Sequence, residues 1–290
     1  MALSDNSRYR DLKVADGTYV PDIGMDYPEN DPDARLVPTT KVRDIKFDDT
    51  YPYYDNSFSY KVQRFIVSYI VAYGPVFLMN KFGFGMKIEG REILRKYRKE
   101  FKKGIVSVSN HCYPYDGNAI AIALGHKLWI PMLSDHFNGK DWWLLTYYGG
   151  IPLPDGSFSA QKKFNEAFDK RHEEGGWIHV FPEARNWLFY KPLRPFRKGA
   201  FTMAYKYDAP VLPMCITYRE RTGIYKWFGK PEHPLVTVKI GEPIFPDTTQ
   251  PRKAEVERLQ NEAHTAVCAL GGIIENTWPA SWNENKSSNL

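Results

Sequence analysis

A histidine followed five positions later by an aspartate, His111 and Asp116, is the pair in this chain best suited to moving a proton. Residues five apart do not share a helix face, but across a strand-to-helix turn the carboxylate can fold back onto the imidazole. An aspartate on one ring nitrogen fixes the tautomer and stabilises the imidazolium, which leaves the other nitrogen free as a base. No G-x-S-x-G elbow supplies a nucleophile. The substrate would then bring its own hydroxyl, and the chemistry would be group transfer. The competing reading is plainer: Asp116 as a helix-start charge favoured by the dipole, and His111 as a satisfied turn histidine. Cys112 invites a Cys–His nucleophile, but adjacent residues on an extended turn point apart.

The elements around the pair follow from pattern. Ile105, Val106 and Val108 form a β-branched run that reads as a buried strand. Ser109-Asn110 ends it, Pro114 suits the first turn of a helix, and the apolar stretch 119–124 carries that helix to Gly125. His111 thus falls at the carboxyl end of a strand, where open α/β sheets bind ligands. Further strands are expected at 86–90, 128–133, 177–181, 211–218 and 235–240. Amphipathic helices are expected at 91–103, 159–174, 200–207 and 254–270. The alternation predicts an α/β fold: a mixed, largely parallel sheet layered by helices, with an N-terminal arm and a short apolar membrane-docking segment.

Four stretches divide the chain: a polar arm over 1–60, an apolar segment over 61–85, a catalytic domain over 86–275 and a flexible tail over 276–290. The arm holds 7 basic against 12 acidic side chains, so the net +5 of the whole chain is concentrated in the body. A basic body suits phosphate-bearing ligands or an anionic membrane surface, or serves solubility alone. Residues 65–80 carry no charge, but sixteen residues fall short of the roughly 20 that span a bilayer as a helix, and Gly74-Pro75 would kink them. Aromatic residues before the stretch and lysines after it suit an interfacial segment; a buried core helix is the alternative. Three scattered cysteines and seven scattered histidines indicate neither a disulfide framework nor a metal site. The N-terminus has no apolar run, so no signal peptide is expected.

Taken in order, four blocks resemble the glycerophospholipid acyltransferases, typified by 1-acylglycerol-3-phosphate acyltransferase. Asn110-His-Cys-Tyr-Pro-Tyr-Asp116 matches that family's N-H-x-x-x-x-D. Gly150-Ile-Pro-Leu-Pro-Asp155 stands for its second block, Phe181-Pro-Glu-Ala-Arg-Asn186 for F-P-E-G-[TS]-R, and Val211-Leu-Pro213, preceded by Pro195-Phe-Arg-Lys-Gly-Ala200, for its last. The second block lacks the family's arginine. In the third, Ala184 replaces glycine and Arg185 comes one position early. The resemblance implies His111 as general base, Asp116 as its orienter, and Glu183, Arg185, Arg197 and Lys198 as acceptor-binding residues. It implies transfer of a fatty acyl group from acyl-CoA or acyl carrier protein, with no further cofactor, to a lysophospholipid, above all 1-acylglycerol-3-phosphate, giving phosphatidic acid. The protein would sit on the cytoplasmic inner face of the membrane, peripheral or monotopic, with no nucleic-acid partner. A hydrolase, or a decayed membrane-docked lipid-binding protein, are the rival readings.

Overall fold

A computed structural model describes residues 7–36 and 38–282. After strand β1 (Lys13–Val14), helix α1 (Phe58–Phe65) starts at Ser57, whose side chain accepts the Tyr60 N–H. The helix continues through wider π-type turns at Ile66–Val76 and Met79–Gly83, making 26 residues over Phe58–Gly83. The backbone leaves helical values at Gly74 (φ −90°, ψ −106°), just ahead of Pro75; proline lacks the N–H and crowds the preceding turn. The sixteen-residue length expected from the uncharged run is therefore too short. Cations at its ends are absorbed into the helix, which by length and composition alone could cross a membrane. Arg64 is absorbed by turning inward: its guanidinium donates to Leu128 O at 3.1 Å and lies 3.4 Å from the Trp129 ring.

Strand β2 (Lys87–Glu89) and helix α2 (Arg91–Lys96) follow. The helix expected over 91–103 breaks at Tyr97 and resumes as a 3₁₀ turn at Glu100–Lys103. Like charges crowd this stretch, while only Ile93 and Phe101 bury fully, so little holds one continuous helix. Then come β3 (Val106–Val108), α3 (Asp116–Leu124), β4 (Leu128–Met132), α4 (Ser134–Phe137), α5 (Trp142–Tyr148) and β5 (Gly150–Pro152). Helix α6 (Phe158–Glu173), β6 (Trp177–Val180), α7 (Gly199–Tyr207), β7 (Val211–Arg219), β8 (Leu235–Ile240), α8 (Arg252–Leu270) and β9 (Ile273–Glu275) complete the order.

Seven strands form one sheet in the order β2-β8-β7-β3-β6-β4-β5. All its pairings are parallel except β7 with β8, so the sheet is mixed and largely parallel, with helices layered on it. Side chains sort by strand parity. Val106, Val108, Trp129, Ile178 and Val211 join one apolar layer with α6, α7 and α8. Ile105, Leu128, Ile130, Leu212 and Met214 join the other with α3. Gly149 (φ +115°) closes α5, and a Cβ there would lie 2.2 Å from Leu128 O; only glycine lets α5 end so tightly against β4.

The arm wraps the body. β1 pairs antiparallel with β9, and Tyr27 stacks on Trp187 and donates to Leu188 O at 2.7 Å. Part of the stretch expected as a flexible tail is packed: Trp278 is buried against Trp187 and Tyr190, and its indole N–H donates to the Tyr190 hydroxyl. Residues 283–290 lie outside the described residues.

Candidate active site

The central strand β3 lies between β6 and β7, and the carboxyl ends of β3 and β6 place the loops 109–115 and 181–198 side by side. Pro114 sits in the loop, two residues ahead of α3, and not in its first turn as expected. The reason is that Tyr115 takes the non-helical position before α3 (φ −121°, ψ 28°). Asp116 opens the helix, and its Oδ2 meets His111 Nδ1 at 2.5 Å. Its Oδ1 accepts the Gly117 N–H at 2.8 Å, and Asn186 Nδ2 lies 3.4 Å from Oδ2. The carboxylate is thus fixed on both oxygens, and the imidazole, stacked 4.2 Å from the Phe181 ring, is fixed on one nitrogen. Nε2 has no partner among the described residues and is the nitrogen left to act as a base.

The His111 loop is held from neighbouring elements through the Asn110 side chain and several backbone groups. Asn110 donates to Ile216 O and accepts from Ile216 N, both at 2.8 Å, tying the loop to β7. The His111 N–H donates to Glu183 Oε2 at 2.9 Å. Trp187 N donates to His111 O, Phe189 N to Cys112 O, and Asn186 Nδ2 to Tyr113 O. The loop carrying the third sequence block therefore clamps the loop carrying the first.

This changes the part Glu183 plays in the geometry. It is buried, with Oε1 accepting from Arg194 N and Oε2 from both the Arg194 guanidinium and His111 N, each at 2.9 Å. Glu183 forms no ion pair with its near neighbour Arg185; Arg194 is the partner, and it is 1% exposed. Arg185 turns away, its Nε donating to Asp33 O at 2.9 Å. Arg197 lines the cavity beside His111 and pairs with the Asp33 carboxylate. Lys198 is exposed just ahead of α7. So His111, Asp116 and Arg197 are brought to one cavity, whereas Glu183, Arg185 and Lys198 do not line it.

Ala184, which stands where the resembled family has glycine, adopts φ +65°. That left-handed conformation is one glycine accepts freely and alanine accepts at a cost of about 1 kcal/mol.

The cavity is about 750 Å³ and mostly apolar, in the range of small-molecule sites. His111, Asp116, His136, Asn186 and Arg197 are among its polar groups, and Val71, Ala72 and Val76 of the long apolar helix form one wall. Cys112 is buried, and that burial pushes its thiol well above the usual range, which removes the thiolate a nucleophile needs. Beneath the loop lies His179, with Nδ1 2.9 Å from Ser107 Oγ and Nε2 3.3 Å from Ser109 Oγ. Burial, and secondarily the proximity of His111, pushes it down to about 3, so it stays neutral. The sequence offers Arg194, with Arg197 and Lys198, as a cation for an acceptor phosphate at the start of the next helix; the structure instead buries it against Glu183, and neither that role nor those of Asn186 and Asn80 are anticipated from sequence. A buried arginine paired eleven residues back has no local signature, and an asparagine in a loop block reads as a turn residue.

An acyltransferase family model matches residues 85–217, which span the four blocks and the loops that carry His111, Asp116, Glu183 and Arg197. No curated protein matches the chain. Among solved structures, the 1-acyl-sn-glycerophosphate (LPA) acyltransferase PlsC from Thermotoga maritima is similar at 21% identity, with 73% of this chain and 83% of that chain covered and a TM-score of 0.43.

Proposed function

We propose that this chain, with an acyltransferase domain over residues 85–217, moves a fatty acyl group from a thioester to the hydroxyl of a lysophospholipid. The observation that carries the reading is the 2.5 Å His111–Asp116 pair in the wall of a large apolar cavity. The acceptor hydroxyl gives its proton to His111 Nε2 as its oxygen attacks the thioester carbonyl. Collapse of the tetrahedral adduct breaks the C–S bond, and the imidazolium returns the proton to the departing thiolate. General base catalysis of this kind contributes typically about 10²–10⁴-fold. Asp116 holds the tautomer and the transient positive charge. Phe181, Val180 and the helix residues Val71, Ala72 and Val76 give the acyl chain an apolar surface to lie against.

Acyl-CoA and acyl carrier protein are the donors to compare. The block resemblance favours 1-acylglycerol-3-phosphate as acceptor and phosphatidic acid as product, with Arg197 a cation in the lining of the same cavity as the base. The reaction sits at the cytoplasmic face of a membrane, reached through the outward side of the long helix. Labelled acyl-CoA offered with a panel of lysophospholipids tests the reading. Transfer to a lysolipid supports it; release of free fatty acid alone would establish a hydrolase, and neither reaction would leave only lipid binding.

A further inference from the structure

The cation expected to meet an acceptor's phosphate already has an anion on it, supplied by the chain itself. Arg197 grips both carboxylate oxygens of Asp33, a residue of the N-terminal arm that lies 164 positions away in sequence. The contact is not a chance meeting of mobile side chains. The arm around Asp33 is pinned from the body by its carbonyls: Pro32 O accepts from the Arg194 guanidinium, Asp33 O from Arg185 Nε, and Ala34 O from the Trp187 indole at 2.9 Å. Asp31 Oδ1 in turn accepts the Asp33 N–H at 2.9 Å. Next to it Arg35 pairs with Asp135 at 2.5 Å. Arg185 is close enough to this cluster for Arg35 and Arg197 to lower its pKa and for Asp33 to oppose them, although burial is the larger cause of its lowering.

Two consequences follow from charge alone. A phosphomonoester dianion approaching Arg197 must displace Asp33 or accept a carboxylate beside it, and the second block offers no arginine in compensation. A zwitterionic phosphodiester meets both signs it needs, guanidinium for its phosphate and carboxylate for its ammonium group. We propose that Asp33 is a specificity-determining residue that selects zwitterionic lysophospholipids over phosphomonoester acceptors at the His111 cavity. The inference rests on the lysophospholipid reading above, but on headgroup it departs from the 1-acylglycerol-3-phosphate that the block resemblance favours.

The experiment compares KM for 1-acylglycerol-3-phosphate with KM for the matching 1-acylglycerophosphocholine, both short-chain and dispersed, in the wild type, Asp33→Asn and Asp33→Ala. One acyl-CoA and one low ionic strength serve throughout, and circular dichroism checks that each variant is folded. The wild type should have the lower KM for the zwitterion. Both substitutions should move the KM ratio toward the phosphomonoester by about fivefold, the upper range for a partly exposed ion pair. Asp33→Asn, which keeps the side chain's shape, guards against a loss of arm docking. A ratio that stays fixed, or two KM values that rise in parallel, would mean that Asp33 only anchors the arm and would overturn the proposal. Transfer to neither lipid in the wild type would overturn the lysophospholipid reading together with it.

Discussion

At the scale of residues, the fixed imidazole and the buried pair behind it make separable demands. His111→Ala should abolish transfer without unfolding the protein, because the ring is a partly exposed loop side chain, and Asp116→Asn should cut kcat severely by losing tautomer control. Near-normal turnover in folded His111→Ala would remove the general-base assignment. Cys112→Ala should keep most activity, since direct transfer needs no enzyme nucleophile; a trapped acyl-cysteine seen by mass spectrometry would reverse that. Glu183→Gln tests a different link. It leaves Arg194, which is 1% exposed, without its counter-charge, and breaking a buried pair from one side costs about 3–5 kcal/mol. Equilibrium unfolding in urea should register that loss, whereas unchanged stability with a raised acceptor KM would return Glu183 to the substrate. Acid should also weaken the fold. His179 and His264 are pushed down to about 3 and about 4 by burial, so the unfolded chain takes up protons below pH 6.5 that the folded sites refuse. Stability contributed by their neutrality is full above pH 6.5 and falls as pH drops toward 4, by at most about 1.4 kcal/mol per pH unit for each group. His179→Asn should flatten that slope in unfolding measurements; an unchanged slope would assign the acid sensitivity elsewhere.

At the scale of elements, β2, β3, β4, β6, β7, β8 and the His111 turn were legible because each signal was local, whereas β1, β5 and β9 were not among the expected strands, β1 and β9 existing only through their pairing across the chain. β-branched runs ended in turn formers, and α3 and α6 carried their own stop residues. The long helix was legible in composition but not in extent, because accommodating Arg64 draws on the distant Trp129 ring and Leu128 carbonyl. The clamp between the 109–115 and 181–198 loops was illegible for the same reason: its bonds join residues about 70 positions apart. A similar long-range link couples the apolar helix to the site. Asn80, fully buried, donates to Asn118 Oδ1 at 2.9 Å and accepts from the Tyr113 hydroxyl at 2.8 Å. Asn80→Leu strands those two partners, at about 1–3 kcal/mol for each buried polar group left unsatisfied. The helix should then loosen from the loop, seen as faster amide exchange at 110–118. Ala72→Phe, by contrast, should leave the fold in place and fill the cavity, lowering turnover more for long acyl-CoA than for short.

At the scale of the whole molecule, the question is what the outward side of that helix meets. Its inward side is committed: Tyr60, Arg64, Val67, Ser68, Ala72 and Asn80 are buried. The other side presents Phe65, Ile66, Tyr69 and Ile70 to solvent, with Ile70 60% exposed, and Leu78, Met79 and Phe82 continue it past the kink. An exposed apolar strip of this length is unusual unless something covers it. A lipid surface fits, because the strip ends beside Lys81 and Lys127 within a net-basic chain and a single-chain acceptor resides in the bilayer. Although the helix is long enough to cross, doing so would strip away the contacts of its inward side and remove Val71, Ala72 and Val76 from the cavity wall. The geometry therefore favours a helix lying at the interface, its cavity side toward the base. Phe65, Ile66, Tyr69 and Ile70 replaced together by Ser or Gln should release the protein from vesicles containing anionic lipid while sparing transfer to dispersed short-chain acceptors. Val76 is left untouched because it lines the cavity and would confound the two readouts. Wild-type binding should weaken with salt as the cations are screened, yet persist through the apolar contact. If the wild type never sediments with vesicles, or the fourfold variant unfolds, the strip is covered by protein and the membrane reading falls.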